Sequence, residues 1–223
     1  MSDSVFMTVH DLGLSAEEAG SEKGTGYFSA GLGSSRCGEK VACPLFWPPG
    51  ADGQVGMQIV ADELAERARI EPNDENADAF GRSAFNRYYY AAFLIVREML
   101  RTTDPEWAKT GHKSIPELLN GKLADKVRRE IAKLSRAGIK SLPDASALRR
   151  QLNEAVSALS SLLSEGYRLR KVADYQPEVK VKRNSATITL ENGSLDSARS
   201  WPKNANIYSK QILKVWKQLG ISG

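Results

Sequence analysis

Apolar positions are absent as a periodic signal from the first 56 residues and become periodic at Met57. From there MQIVADELAERARI places Ile59, Leu64 and Ala68 on one side of a helix, with charged residues opposite. EPNDEN interrupts this pattern, and Asn76 or Asp78 is the expected cap of a helix running to about Arg101. Its apolar positions are Phe85, Tyr88, Tyr89, Ala92, Ile95, Val96 and Met99, at spacings of three and four. A further helix is expected from Pro116, which suits a first turn because its missing N–H is not needed there. It carries Leu119, Leu123, Val127, Ile131 and Leu134 on one side, and Gly138 and Pro143 are read as its stop. Asp144 or Ser146 then caps the clearest stripe in the chain, Leu148, Leu152, Ala155, Leu159 and Leu162, which ends near Asp174. Amphipathic helices joined by short connections pack antiparallel.

The period changes after Pro177. VKVKRNSATITL is rich in Val, Thr and Ile and reads as strand, and Asn192-Gly193 reads as a tight turn. Ile207, Tyr208, Ile212, Val215, Trp216 and Leu219 form a last amphipathic helix. The expected fold is therefore mainly α. It is an antiparallel bundle of four or five helices over residues 57–177, with a small strand-or-hairpin plus helix appendage over 178–223. Such a hairpin must dock on the bundle or on a partner, because alone it is marginal in water. A strand edge between Val179 and Leu190 would suit strand addition by a partner.

Residues 1–56 hold ten of the 18 glycines and a WPPG linker signal, and are expected to be disordered. The onset of helical patterning at Met57 suggests a native start there, with the preceding residues as translated upstream sequence. Charge divides along the same line. Residues 1–56 carry three Lys/Arg and seven Asp/Glu, which leaves 28 against 20 for the remainder. The helical part is mildly basic, which permits an anionic partner. Cys37 and Cys43 form no second pair and make a poor zinc signature, so no metal or cofactor is expected. No apolar run approaches the length of a membrane span, and no secretory leader is evident, so a cytoplasmic protein without membrane attachment is expected. The glycine-rich GLGSSRCG lacks the strand–helix context of a phosphate loop.

Three short strings occur in order. SAFNRYYYAAF covers residues 83–93, Gly111-His112-Lys113 precedes the second long helix, and Arg170-Lys171-Val172-Ala173-Asp174-Tyr175 closes the third. Over residues 76–177 the chain resembles the HEPN domain family. The resemblance implies a helical bundle, commonly a homodimer, in toxin–antitoxin modules, phage-defence systems or RNA processing. A cognate antitoxin or defence-system protein would then be a partner. Active members are metal-independent endoribonucleases with an Arg-x4-6-His motif. Here the chain departs from the family: its histidines are His10 and His112, and neither follows an arginine at that spacing.

The resemblance singles out His112, Arg87 and Arg170 as candidates for proton transfer and phosphate contact. Arg87, Arg168, Arg170 and Lys171 are candidates for RNA phosphates, while Lys180, Lys182 and Arg183 extend the basic stretch. Arg87 has a second reading, as a structural partner of Asp174. Tyr88, Tyr89, Asp174 and Tyr175 are candidates for closing the fold. Of the consecutive tyrosines Tyr88, Tyr89 and Tyr90, two are expected in the core and one toward a partner, since neighbours on a helix lie about 100° apart. The two function classes are an RNA-binding or RNA-cleaving HEPN-like protein and a catalytically inactive dimerisation or protein-interaction module.

Overall fold

The computed structural model describes residues 51–184 and 187–221. The expectations placed on residues 1–50, including disorder and the two cysteines, lie outside the described residues. In chain order the elements are α1 (Ala51–Ile70), α2 (Asp74–Thr103), α3 (Ile115–Leu118), α4 (Ala124–Arg136), α5 (Leu142–Tyr175), β1 (Val181–Arg183), β2 (Ile188–Leu190), β3 (Gly193–Ser194) and α6 (Leu195–Gln218). Two 3-10 turns, Trp107–Lys109 and His112–Ser114, join α2 to α3, and one π turn, Leu119–Leu123, joins α3 to α4.

Helix boundaries follow capping more than apolar onset. α1 begins at Ala51, ahead of Met57, so the onset of pattern that suggested a start at Met57 is not a structural boundary. Asn73, rather than Asn76 or Asp78, caps α2: its side chain accepts from the Asn76 N–H. Ser141, rather than Asp144 or Ser146, caps α5 and accepts from the Asp144 N–H. Pro143 therefore lies in the first turn of α5 instead of stopping the preceding helix. Gly138 ends that preceding helix with φ +69°, a conformation open to glycine.

α1 and α2 form an antiparallel hairpin, and α5 lies antiparallel against α2 with its stripe Leu148, Leu152, Ala155, Leu159 and Leu163 buried. Burying each such leucine contributes roughly 1.5–3 kcal/mol. Gly166 permits the close approach of α5. A Cβ there would lie 2.9 Å from Cδ2 of Tyr89 and 3.5 Å from the Trp201 ring. α4 packs mainly on α5.

The expected C-terminal appendage is in part a structural layer of the bundle. α6 starts at Leu195, twelve residues before Ile207, and packs on both α2 and α5. Trp201, Ala205, Ile212, Val215 and Trp216 are buried in the common core. Pro202 sits inside this helix, where it removes a backbone hydrogen bond. Pro202 and its neighbour Trp201 are both buried.

The strands form an antiparallel sheet of order β1-β2-β3, with Val181 opposite Leu190 and Leu190 opposite Gly193. The tight turn is thus Glu191-Asn192, one residue earlier than the Asn192-Gly193 reading, and Glu191 takes the positive φ of +52°. Gly193 is needed for a different reason: a Cβ there would fall 2.2 Å from Cδ1 of Leu169. The outer edge of β1 is fastened to the helices. The Val181 N–H donates to Oδ1 of Asp78 at 2.7 Å, and Arg183 donates to the Ala68 and Glu71 carbonyls at the end of α1. The edge expected to accept a partner strand is therefore occupied at Val181. No helix among the described residues is long and apolar enough to cross a membrane.

Candidate functional site

The three strings that carry the family resemblance meet in space. Asn86, Tyr90, Phe93 and Arg97 recur at four, three and four along α2 and so share one face. Tyr167, Arg170 and Asp174 recur at three and four on α5. His112, in the 3-10 turn that precedes α3, lies against these helices.

The His112 ring stacks on Phe93 with centroids 3.7 Å apart and planes 15° apart, and meets Tyr90 edge-on at 5.5 Å. The hydroxyl of Tyr89 is 2.9 Å from its Nδ1. Burial holds the Tyr89 phenol above its ordinary range, so it stays protonated. The buried O–H has Nδ1 as its hydrogen-bond partner among the described residues, and donating to it leaves the imidazole proton on Nε2. Burial, and then the charges of Arg170 and Arg97, hold the His112 pKa below its ordinary value. At neutral pH His112 is a neutral ring with Nε2–H as the donor.

Arg170 pairs with Asp174, Nε to Oδ2 at 2.8 Å. Its guanidinium also lies 5.7 Å from the ring centres of both Tyr90 and Tyr175. Tyr175 is 68% exposed, so the outer ring of this stack faces solvent. Asn86 donates to the other carboxylate oxygen of Asp174. Asp174 thus meets Arg170 on one oxygen and Asn86 on the other. The Arg170 contact is an ion pair without a well-directed hydrogen bond from Nε, and partial shielding makes it worth more than a surface pair.

Not all the expected residues gather here. Arg87 is exposed and faces α1, with Nη1 3.9 Å from Sδ of Met57. The partner of Asp174 on α2 is Asn86, its neighbour, because one residue turns the helix by about 100°. Arg168 lies about 200° from Arg170 around α5 and pairs with Glu191 at the strand turn. Lys171 is exposed. Lys180 pairs with Asp78 at 3.5 Å and Arg183 with Asp74. Tyr88 and Tyr89 are both buried, and Tyr90 alone of the three reaches the site surface. Tyr88 donates to Oδ1 of Asp62 at 2.7 Å, and Arg199 reaches the same oxygen at 3.0 Å.

Two residues escaped the sequence reading. Arg97 acts electrostatically on His112 although fifteen positions separate them in the chain. Its signal was its place on the Asn86–Tyr90–Phe93 face. Arg82 donates to the carbonyls of Val172, Ala173, Gln176 and Val179, at distances of 2.5 to 3.1 Å. It satisfies the open end of α5 and so holds the turn that carries Arg170, Asp174 and Tyr175. No sequence pattern marks that role.

The arrangement can bind an anionic, planar group. Arg170 and Arg97 supply charge, Nε2–H of His112 supplies a directed donor, and Tyr175 supplies a stacking surface. No family model, curated protein or solved structure matches the chain.

Proposed function

We propose that this protein binds single-stranded RNA at the Tyr90–His112–Arg170–Tyr175 cluster, as a HEPN-like member of a bacterial toxin–antitoxin or defence system. The observation that carries the reading is the Arg170 guanidinium 5.7 Å from the rings of both Tyr90 and the exposed Tyr175, within electrostatic reach of a neutral His112. Aromatic and guanidinium planes stack on unpaired bases, and arginine also holds phosphate. The setting in such a system, and the cognate antitoxin or defence partner, rest on the resemblance of the three strings.

Metal-independent cleavage is the catalytic form of this proposal. Nε2–H of His112 would donate a hydrogen bond to a phosphate oxygen while Arg170 and Arg97 stabilise charge on the phosphorus oxygens. Attack by the 2′-hydroxyl also needs a proton acceptor, which His112 in its neutral tautomer does not supply from the same nitrogen. Solvent water would take that proton and return one to the leaving 5′-oxygen, and a homodimer, as the resemblance implies, would bring two clusters to one RNA. Val55, Ile59 and Val60, exposed on α1, offer an apolar surface for such a dimer. The same surface supports the second reading, an inactive dimerisation or protein-interaction module.

The test is anisotropy of a labelled ten-nucleotide single-stranded RNA, with cleavage followed in chelator. The expected result is salt-dependent binding that weakens by about 1–3 kcal/mol in Tyr175→Ala and is lost in Arg170→Gln/Tyr175→Ala. Wild-type protein that fails to bind at low salt overturns the RNA reading. Binding without cleavage removes the enzyme and leaves the binding protein.

A further inference from the structure

Residues 197–223 contain no Asp or Glu, and their five basic residues are Arg199, Lys203, Lys210, Lys214 and Lys217. Arg199 turns inward to Asp62 at 3.0 Å. The four lysines are exposed. At 100° per residue they fall within about 40° of one line along α6, spanning roughly 21 Å of helix axis. None of the four has an acidic partner among the described residues. Lys210, Lys214 and Lys217 line a shallow groove with Leu213 and Gln218, and Ile207, 42% exposed, lies between Lys203 and Lys210 on the same face.

A solvated helix end does not account for this stripe. The helix dipole favours cations only in the last turn, which covers Lys217 and leaves Lys203 and Lys210 unexplained. Nor does a membrane surface. An interfacial helix must bury its apolar face in lipid, and the apolar face of α6 is already buried against α2 and α5. A straight row of unpaired ammonium groups with scarcely any side chain suited to reading bases fits a chain of phosphates. Lysine acts there as a point charge.

We infer that the α6 lysine stripe is a second, sequence-independent contact surface that holds the phosphate backbone of RNA extending beyond the proposed cluster. The identity of the polymer rests on the RNA reading above; the surface itself does not. Longer RNA engages both surfaces, and short RNA engages the cluster alone.

The experiment compares a labelled 20-nucleotide uridine-rich RNA with a tetranucleotide, by anisotropy across a salt series. It uses the full chain, Lys203→Gln/Lys210→Gln/Lys214→Gln/Lys217→Gln, the matching four Lys→Arg changes, and Arg170→Gln/Tyr175→Ala. All four lysines are exposed, and an unchanged melting temperature verifies the fold. In the glutamine variant, the 20-mer is expected to bind at least tenfold more weakly at low salt. Its logarithmic salt slope should fall by about 2–3, since each phosphate contact contributes about 0.7. Tetranucleotide binding should be unchanged, and the arginine variant should behave as wild type. A glutamine variant that keeps wild-type 20-mer affinity and slope overturns the inference. If instead the lysines govern 20-mer binding while Arg170→Gln/Tyr175→Ala binds both RNAs normally, the cluster reading fails and the stripe stands.

Discussion

The Tyr89 hydroxyl and Nδ1 of His112, 2.9 Å apart, join a core residue of α2 to the loop that opens α3. Tyr89 is fixed by packing on its ring from Phe93, Tyr167 and Gly166. Its hydroxyl in turn selects which nitrogen of His112 faces outward. Tyr89→Phe keeps the packing and removes the donor. A donor to Nδ1 favours the neutral ring, so its loss should raise the His112 pKa. Histidine proton NMR across a pH series checks this. The cost in stability should be about 1 kcal/mol, read from urea unfolding.

The pH dependence of stability follows from the same residue. His112 titrates below its unfolded value of about 6.5 when folded. Between the two values the unfolded chain binds more protons than the folded one. Stability therefore rises with pH through that window and falls as pH drops through it. His112→Gln should flatten this component. Urea midpoints measured from pH 7.5 down to 5 for both proteins give the comparison, and an equal slope in the variant would remove His112 as the source.

Gly166→Ala should be destabilising although alanine favours helix. Its Cβ would lie 2.9 Å from the Tyr89 ring, with Trp201 beside it. Helix propensity would gain about 1 kcal/mol, while overpacking between three helices costs about 1–3 kcal/mol. The net loss should come with a shift of the His112 resonances, because the ring that is pushed holds the Tyr89 hydroxyl.

Arg82→Ala should be among the most damaging changes at a partly exposed position. It removes four hydrogen bonds, while the Val172 and Gln176 carbonyls keep backbone donors, and hydrogen bonds to a charged group contribute about 1.5–3 kcal/mol each before non-additivity. A loss of at least 2 kcal/mol is expected, with early proteolysis near Gln176. Arg82→Lys keeps the charge without the planar fork and should recover only part of it.

Glu191→Gly sets two effects against each other. The positive φ of Glu191 costs about 1–2 kcal/mol in a non-glycine residue. Its pair with Arg168 is largely exposed and contributes about 0–1 kcal/mol. Relief of strain should win, raising the melting temperature by a few degrees.

The apolar periods alone were enough to place α2, α5 and the C-terminal half of α6, because a helix must bury its stripe whatever it packs against. They were also enough to put two of three adjacent tyrosines in the core. Boundaries were less legible. Asn73 and Ser141 compete with nearby Asn, Asp and Ser residues that cap equally well in isolation, and only the geometry of the incoming chain chooses. The last stripe begins at Ile207, whereas α6 begins at Leu195 and runs through Pro202 while packed against α2 and α5. The site divides in the same way. His112, Arg170, Asp174 and Tyr175 are singled out in the sequence by the resemblance of the short strings that hold them. Whether Arg87, Arg97 or Arg168 joins them depends on rotation about two helices, and a hundred degrees separates neighbours. Local sequence determines which side chains share a helix face. Which faces meet is decided by long-range packing, here by Gly166 drawing α5 onto Tyr89 and by Arg82 fixing its end.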